Sequence, residues 1–249
     1  MHIISEKTSL MATILHIETS TEVCSVAVSQ DGLCVFERED REGPNHAVKS
    51  GVFIDEALSH IDSQLLTLDA VAVSGGPGSY TGLRIGVSTA KGVCFGRDAQ
   101  LISVPTLEVL CVPVLLQEKV KEDDALLCPM LDARRMEVYA ALFDRSLREV
   151  RPTQADIVDG DTYRAFLYER PVYFFGNGAA KCVEVIDHPN AKFIEGVVPL
   201  ARWMFPLAER RFFDQKFEDV AYFEPFYLKD FVEKTKPHPL TPSPKGEGE

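Results

Sequence analysis

No two of the six cysteines (Cys24, Cys34, Cys94, Cys111, Cys128 and Cys182) form a C-x-x-C pair, and most sit inside apolar runs. That pattern argues against a zinc ribbon or a disulfide frame and reads as small buried hydrophobes of a reducing compartment. The histidines contain no pair at i and i+4, the spacing by which a helix presents two ligands to one metal ion. No apolar stretch reaches the roughly 18 residues needed to span a bilayer. Residues 1–11, with Glu6 and Lys7, lack the continuous apolar core of a signal peptide. A cytoplasmic protein without membrane contact is the expectation, and Met11, directly before the first strand-like run, is a candidate translation start. Positive charge is also scarce: 26 Lys and Arg stand against 38 Asp and Glu, a net charge of −12. A surface that negative repels phosphate backbones, so tight nucleic-acid binding by the chain alone is not expected.

What is present is an ordinary globular composition, 45% apolar and 26% charged over 249 residues, enough for one large domain or two modest ones. Thr13–Ile17 reads as a strand. Val23–Ser29 alternates with period two, and Asp31-Gly32 turns into a third strand over Leu33–Glu37. Beyond a polar loop with Asn45 as cap, Ala47, Gly51, Ile54, Leu58 and Ile61 fall on one helix face. Leu68–Ser74, a glycine-rich helix and Leu101–Val104 follow. The order βββαβαβ predicts a mixed five-stranded sheet with helices on its faces. A lobe boundary is placed at Pro105-Thr106: 1–12 an N-terminal extension, 13–104 a first lobe, 105–232 a second and 233–249 a disordered tail.

In the second half, 107–118 reads as a helix that Pro113 should kink or interrupt. Strands are expected at Ala125–Leu131, Glu137–Phe143, Val172–Phe175 and Lys192–Ile194. Helices are expected at Asp161–Glu169, Ala179–Ile186 and Leu200–Phe213.

The most unusual stretch is Val71–Gly96: a strand, the turn Gly75-Gly76-Pro77-Gly78, then a helix carrying Gly82, Gly86 and Ala90 at intervals of four. Interior glycine costs a helix about 1 kcal/mol relative to alanine, so close approach by a second helix should offset it. The stripe serves either packing inside one lobe or a subunit interface, and spacing alone leaves both open.

The turn is not a P-loop, since Gly78-Ser79-Tyr80-Thr81-Gly82-Leu83 lacks the lysine and following Ser/Thr. Nor is it a G-x-S-x-G nucleophile elbow. Glu18, Thr19 and Ser20, with Gly76, Gly78 and Ser79, occupy positions suited to phosphate, but Glu18 adds a like charge unless a metal ion intervenes. Capping and turn formation is the plainer reading. His46 at a helix start reads as a solvated or capping residue. Asp132-Ala133-Arg134-Arg135 is a charged turn that could also bind an anion.

LHIETSTEVCSVAVSQDG, SGGPGSYTGLRIGVSTAKGV, SVPTLEVL and MLDARRMEVYAALFD together resemble the TsaB (YeaZ) family over about residues 13–232. The resemblance implies an α/β ASKHA fold (actin-like ATPase, RNase H-like) of two lobes. It implies a non-catalytic subunit that binds and activates TsaD as a heterodimer, with the ATPase TsaE in a larger assembly. That assembly transfers a threonylcarbamoyl group to adenosine 37 of tRNAs reading ANN codons. No cofactor is expected on this chain alone; ATP with magnesium and a metal ion belong to the partner subunits, and tRNA is met only through the complex. No catalytic or metal-binding residue is assigned. Glu18 stands where members often carry Asp, which weakens any nucleotide site. The resemblance moves the stripe toward a subunit interface formed by Gly82, Leu83, Gly86, Val87 and Ala90 with Ala47, Gly51 and Ile54 beside it; a homodimer could use the same surface in isolation. Two other readings stay open from the residues: an ASKHA nucleotide-dependent kinase or ATPase acting on its own, and a metalloprotease.

From Lys234 onward proline and charge dominate while large apolar residues nearly vanish. A chain truncated at Lys236 is therefore predicted to fold with an unchanged urea midpoint; loss of the cooperative transition would refute that reading.

Overall fold

The computed structural model describes residues 12–43 and 46–229. The Asn45 cap, the 1–11 extension and the 233–249 tail fall outside them.

The first sheet has the strand order β3-β2-β1-β4-β5, built from β1 (Thr13–Glu18), β2 (Cys24–Gln30), β3 (Leu33–Asp40), β4 (Ala70–Gly76) and β5 (Gln100–Pro105). The first three form the antiparallel meander, β1 pairs parallel with β4, and β4 pairs parallel with β5. This is the mixed sheet that the βββαβαβ order predicts. Because side chains alternate across a strand, β1 and β4 serve two cores. Leu15, Ile17, Val71 and Val73 point to one face, under α1 (His46–Ser63) and α2 (Tyr80–Arg97). Ile14, Ala70 and Ala72 point to the other.

The second sheet, β10-β9-β6-β7-β8, repeats the mixed pattern. It comprises β6 (Leu126–Asp132), β7 (Glu137–Phe143), β8 (Glu149–Ile157), β9 (Val172–Phe175) and β10 (Ala191–Ile194). Strand β8 was not read from the sequence. It is an edge strand with mostly exposed or half-buried residues and Pro152 inside, so it lacks the apolar alternation that marks a buried strand. Its Asp156 is nonetheless held, accepting from Tyr163 Oη at 2.6 Å and pairing with Arg151.

Helix α3 (Thr106–Leu116) lies between the two sheets and is buried nearly all round. Leu107, Leu110, Cys111 and Val114 face the second sheet, while Val109 and Val112 face the first. A helix apolar on every side belongs in such a place. Pro113 does not interrupt it, contrary to the sequence expectation; packing from two sheets holds the helical path that one lost backbone hydrogen bond weakens.

Two further helical expectations are shortened. Over 179–186 only a 3-10 turn at Ala180–Cys182 forms, anchored by buried Cys182 and Ile186, in a stretch too short to offset helix nucleation. The 200–213 helix splits into a 3-10 turn at Ala201–Trp203 and α5 (Phe205–Phe213), with Pro206 in the first turn of α5. A short helix α4 (Arg164–Glu169) completes the set.

The chain then returns to the first sheet. Met204, Leu207 and Ala208 join the core under β1, β4 and β5. Ala201 N donates to Ser25 Oγ at 2.8 Å and Gly32 N to Glu209 Oε1 at 2.7 Å. Residues from Ala201 onward, assigned to the second lobe from sequence order, thus pack on the first.

His16 on β1 is fully buried, with Nε2 2.8 Å from Ser29 Oγ and Nδ1 without a partner. Burial lowers its pKa from 6.5 to about 3, because the charged imidazolium would be desolvated. The unfolded chain therefore binds a proton below pH 6.5 that the folded chain refuses. Stability is complete above that pH and falls on acidification by about 1.4 kcal/mol per unit until about pH 3. Urea unfolding between pH 7 and pH 4 is predicted to show this slope in the wild type in excess of that in His16→Gln; parallel profiles would refute it.

Candidate functional site

In mixed α/β sheets ligands gather at the carboxyl ends of parallel strands. Here those ends are the loop after β1 (Glu18–Ser20), the turn after β4 (Gly76–Ser79), the loop after β6 (Asp132–Arg135) and the turn after β9 (Gly176–Gly178).

In the first lobe the two loops close on each other. Glu18 is fully buried: its Oε1 accepts from Ser20 N at 2.6 Å, and its Oε2 accepts from Ser74 Oγ. The carboxylate is thus occupied in holding its own loop. Ser79 N donates to Ser20 O at 2.7 Å, and a Cβ on Gly78 would lie 2.5 Å from Ser20 O. Backbone of one loop therefore fills the space that a phosphate between them would need. Ser79 is committed as the cap of α2, its Oγ accepting from Gly82 N at 3.3 Å. Gly76, at φ 104°, lies against the Phe226 carbonyl, 2.5 Å from where a Cβ would stand.

The second lobe repeats the arrangement. Asp132 N donates to Asn177 Oδ1 at 2.9 Å, Gly178 N donates to Met130 O at 3.0 Å, and Lys181 pairs with Asp132. Among the described residues no group of three His, Cys, Asp or Glu side chains stands together as a metal-ligand set. His46 opens α1. A cavity of about 420 Å³ lies at the opposite end of the second sheet, among Asp123, Asp144, Arg148 and Arg170. Asp144 there pairs with Arg148 at 3.1 Å.

The small-residue stripe has a definite occupant, and it is the chain's own. Thr19 Oγ1 donates to Gly82 O at 2.8 Å. A Cβ on Gly82 would strike Thr19 O, and one on Gly86 would strike Thr19 Oγ1 and meet Val73. Leu83, Val87, Ala90 and Ile54 are buried in the same lobe. The sequence expectation that Gly82, Leu83, Gly86, Val87, Ala90 and Ile54 face a second subunit is corrected: they seat the β1 loop and the sheet. Ala47 and Gly51 are exposed on α1.

The outward side of the same helices carries what the sequence reading passed over. Val48 and Val52 are 70% and 50% exposed on α1, and Phe95 is 88% exposed on α2. Arg97 at the end of α2 clasps Asp62 at the end of α1 with bonds of 2.7 and 2.9 Å, so the two helices run side by side in the same direction. The available signal was the i, i+4 spacing of Val48 and Val52 beside Ala47 and Gly51.

A strap over 219–229 was also not anticipated. Phe226 N donates to Gly75 O at 2.7 Å, and Lys91 Nζ donates to the carbonyls of Ala221 and Phe223 at 3.0 and 3.1 Å. Lys229 then pairs with Glu137 of β7 at 2.5 Å, so the strap crosses from one lobe to the other.

Comparison with known proteins accords with this architecture. A family model described as TsaD, tRNA N6-adenosine threonylcarbamoyltransferase, matches residues 42–166. A protein of Escherichia coli named tRNA threonylcarbamoyladenosine biosynthesis protein TsaB is 30% identical over 234 residues, 88% of this chain and 95% of the relative. One of the same name from Bacillus subtilis is 30% identical over 178 residues, 70% of this chain and 75% of the relative. The solved structure of YeaZ from Pseudomonas aeruginosa superposes with a TM-score of 0.74 at 22% identity, covering 88% of this chain and all of that one.

Two glycines of α2 give a paired prediction. Gly86→Ala forces apart the loop and helix and should lower stability by about 1–3 kcal/mol, as overpacking does. Gly92→Ala meets nothing within 4 Å and should raise it by about 0.5–1 kcal/mol. Urea midpoints in the reverse order would refute the assignment of the stripe to internal packing.

Proposed function

The chain belongs to the TsaB family and has the actin-like ASKHA fold, and from that premise we propose that it is the non-catalytic partner that binds and activates a TsaD subunit. In this reading the pair, with TsaE, transfers a threonylcarbamoyl group to adenosine 37 of tRNAs reading ANN codons, and the chemistry and the nucleotide reside on the partners. The observation that carries it is the outward side of α1, where Val48 and Val52, one turn apart, are 70% and 50% exposed. Ala47 and Gly51 on the same side let another helix approach closely. An exposed apolar pair flanked by small residues on one helix suits a protein partner. A second helix pair laid across them would form a bundle.

The loop geometry supports the division of labour. Glu18 spends both carboxylate oxygens on Ser20 and Ser74, and Gly78 abuts Ser20, so an ATP phosphate placed there would have to separate two hydrogen-bonded loops. Among the described residues no helix is long and apolar enough to cross a membrane.

Co-expression with the cognate TsaD tests the reading. Wild type is predicted to co-purify with it. Val52→Asp should weaken the complex at least tenfold while leaving the urea midpoint of the isolated chain within about 0.5 kcal/mol, the usual range for a surface change. Retention of the complex by Val52→Asp, or no complex with wild type, would refute it. Calorimetry of the isolated chain with ATP and magnesium should show no binding; sub-micromolar binding would favour an independent kinase or ATPase.

A further inference from the structure

The strap and the β6–β7 turn meet in a basic ridge at the mouth between the lobes. Arg134 and Arg135, at the turn, are both exposed and both in the left-handed backbone region, with φ of 72° and 48°. Among the described residues neither guanidinium has a partner. Glu137 N donates to Arg134 O at 3.0 Å, and the Glu137 side chain pairs with Lys229 at 2.5 Å. Two residues before Lys229, Tyr227 packs against Tyr80 with ring centroids 4.8 Å apart and the rings tilted. Arg84 lies over the Tyr80 ring at 4.9 Å.

The nearby carboxylates are largely answered. Asp132 is paired with Lys181 and Glu137 with Lys229, which leaves Glu224 beside Tyr227. Among the described residues five cations thus stand with three carboxylates, on a chain whose net charge is −12. Screening over about 8 Å at physiological salt makes such a patch act locally, apart from the acidic remainder. The ridge combines guanidinium and aromatic groups, which suits an RNA strand: arginines neutralise phosphates while tyrosine rings and guanidinium planes stack against unpaired bases. An acidic protein surface would use the arginines and leave the tyrosines without a role. The backbone at 134–135 adds weight, since two bulky residues are held where glycine or asparagine would sit without strain.

We propose that Arg134, Arg135 and Lys229, with Arg84 over Tyr80 and Tyr227 beside it, form a direct RNA-binding ridge by which this subunit holds the transfer RNA that its partner modifies. The identity of the RNA rests on the proposed function; the ridge itself rests on its chemistry.

The test replaces both turn arginines by glycine (Arg134→Gly with Arg135→Gly). Glycine favours the left-handed turn, so the variant keeps the fold, with a urea midpoint equal to or above that of the wild type. Fluorescence anisotropy with an unmodified transcript of a tRNA reading an ANN codon is measured on the co-purified complex with TsaD. The variant complex should bind about tenfold more weakly, with a slope of log K against log salt shallower by about 1.5, the value for two lost phosphate contacts. The isolated full-length chain at low salt should show the same difference, and ultraviolet crosslinking of the transcript should map to Tyr80 or Tyr227. Unchanged affinity and slope in both arms would overturn the proposal. So would a variant that loses TsaD or TsaE while the remaining complex binds RNA as before, which would assign the ridge to an acidic protein surface. Failure of the wild-type chain to co-purify with TsaD would count against the proposed function alone, and the isolated-chain arm would still decide the ridge.

Discussion

The seat of Thr19 on α2 is the contact on which the first lobe depends. Thr19 Oγ1 donates to Gly82 O, its backbone and hydroxyl fill the hollow left by Gly82 and Gly86, and buried Glu18 on one side holds Ser20 N and Ser74 Oγ. This arrangement fixes the end of β1 against the start of α2 and, through Ser79 N to Ser20 O, sets the glycine turn. It also explains why a helix carries so many small residues despite their cost. In an ASKHA fold these two loops stand where phosphate would be gripped, and here they grip each other.

That closure has a consequence for the rest of the surface. With the mouth of the first lobe filled by its own backbone and crossed by the strap at Gly75 and Gly76, the features left to serve other molecules are external. One is the helical face around Val48 and Val52; the other is the charged ridge at Arg134 and Arg135. They lie on different parts of the chain and are made of different chemistry, apolar and small in one case, cationic and aromatic in the other. In the proposed reading, a subunit that organises a reaction carried out on its partner uses surfaces of these two kinds, one for the partner and one for the substrate.

Much of the architecture was legible because it is written in local period and turn chemistry. The alternation over Val23–Ser29, the Asp31-Gly32 turn and the small-residue helix each name their element, and the first sheet follows from their order. The polar edge strand β8 was not legible, since its pairing with β7 satisfies the backbone without demanding an apolar face. The return of Ala201–Phe213 to the first sheet was hidden for a different reason. Sequence order does not reveal a long-range contact such as Ala201 N to Ser25 Oγ.

The candidate site was half legible. The stripe Gly82, Gly86, Ala90 marks a place of close approach, but the occupant is the loop after β1 rather than the expected second helix, and spacing cannot say whether the approaching group is foreign or the chain's own. Only the position of Thr19 decides it. The exposed face was not legible because Val48 and Val52 flank the Ala47, Gly51, Ile54 series, and apolar spacing alone does not separate exposed Val48 and Val52 from buried Ile54. The most direct measurement of the central claim is the rate of threonylcarbamoyl transfer to tRNA by purified TsaD as this chain is titrated in. The account predicts no transfer by the chain alone, little by TsaD alone, and a rise that saturates at a fixed ratio of the two; transfer by TsaD at full rate without the chain, or by the chain without TsaD, would contradict it.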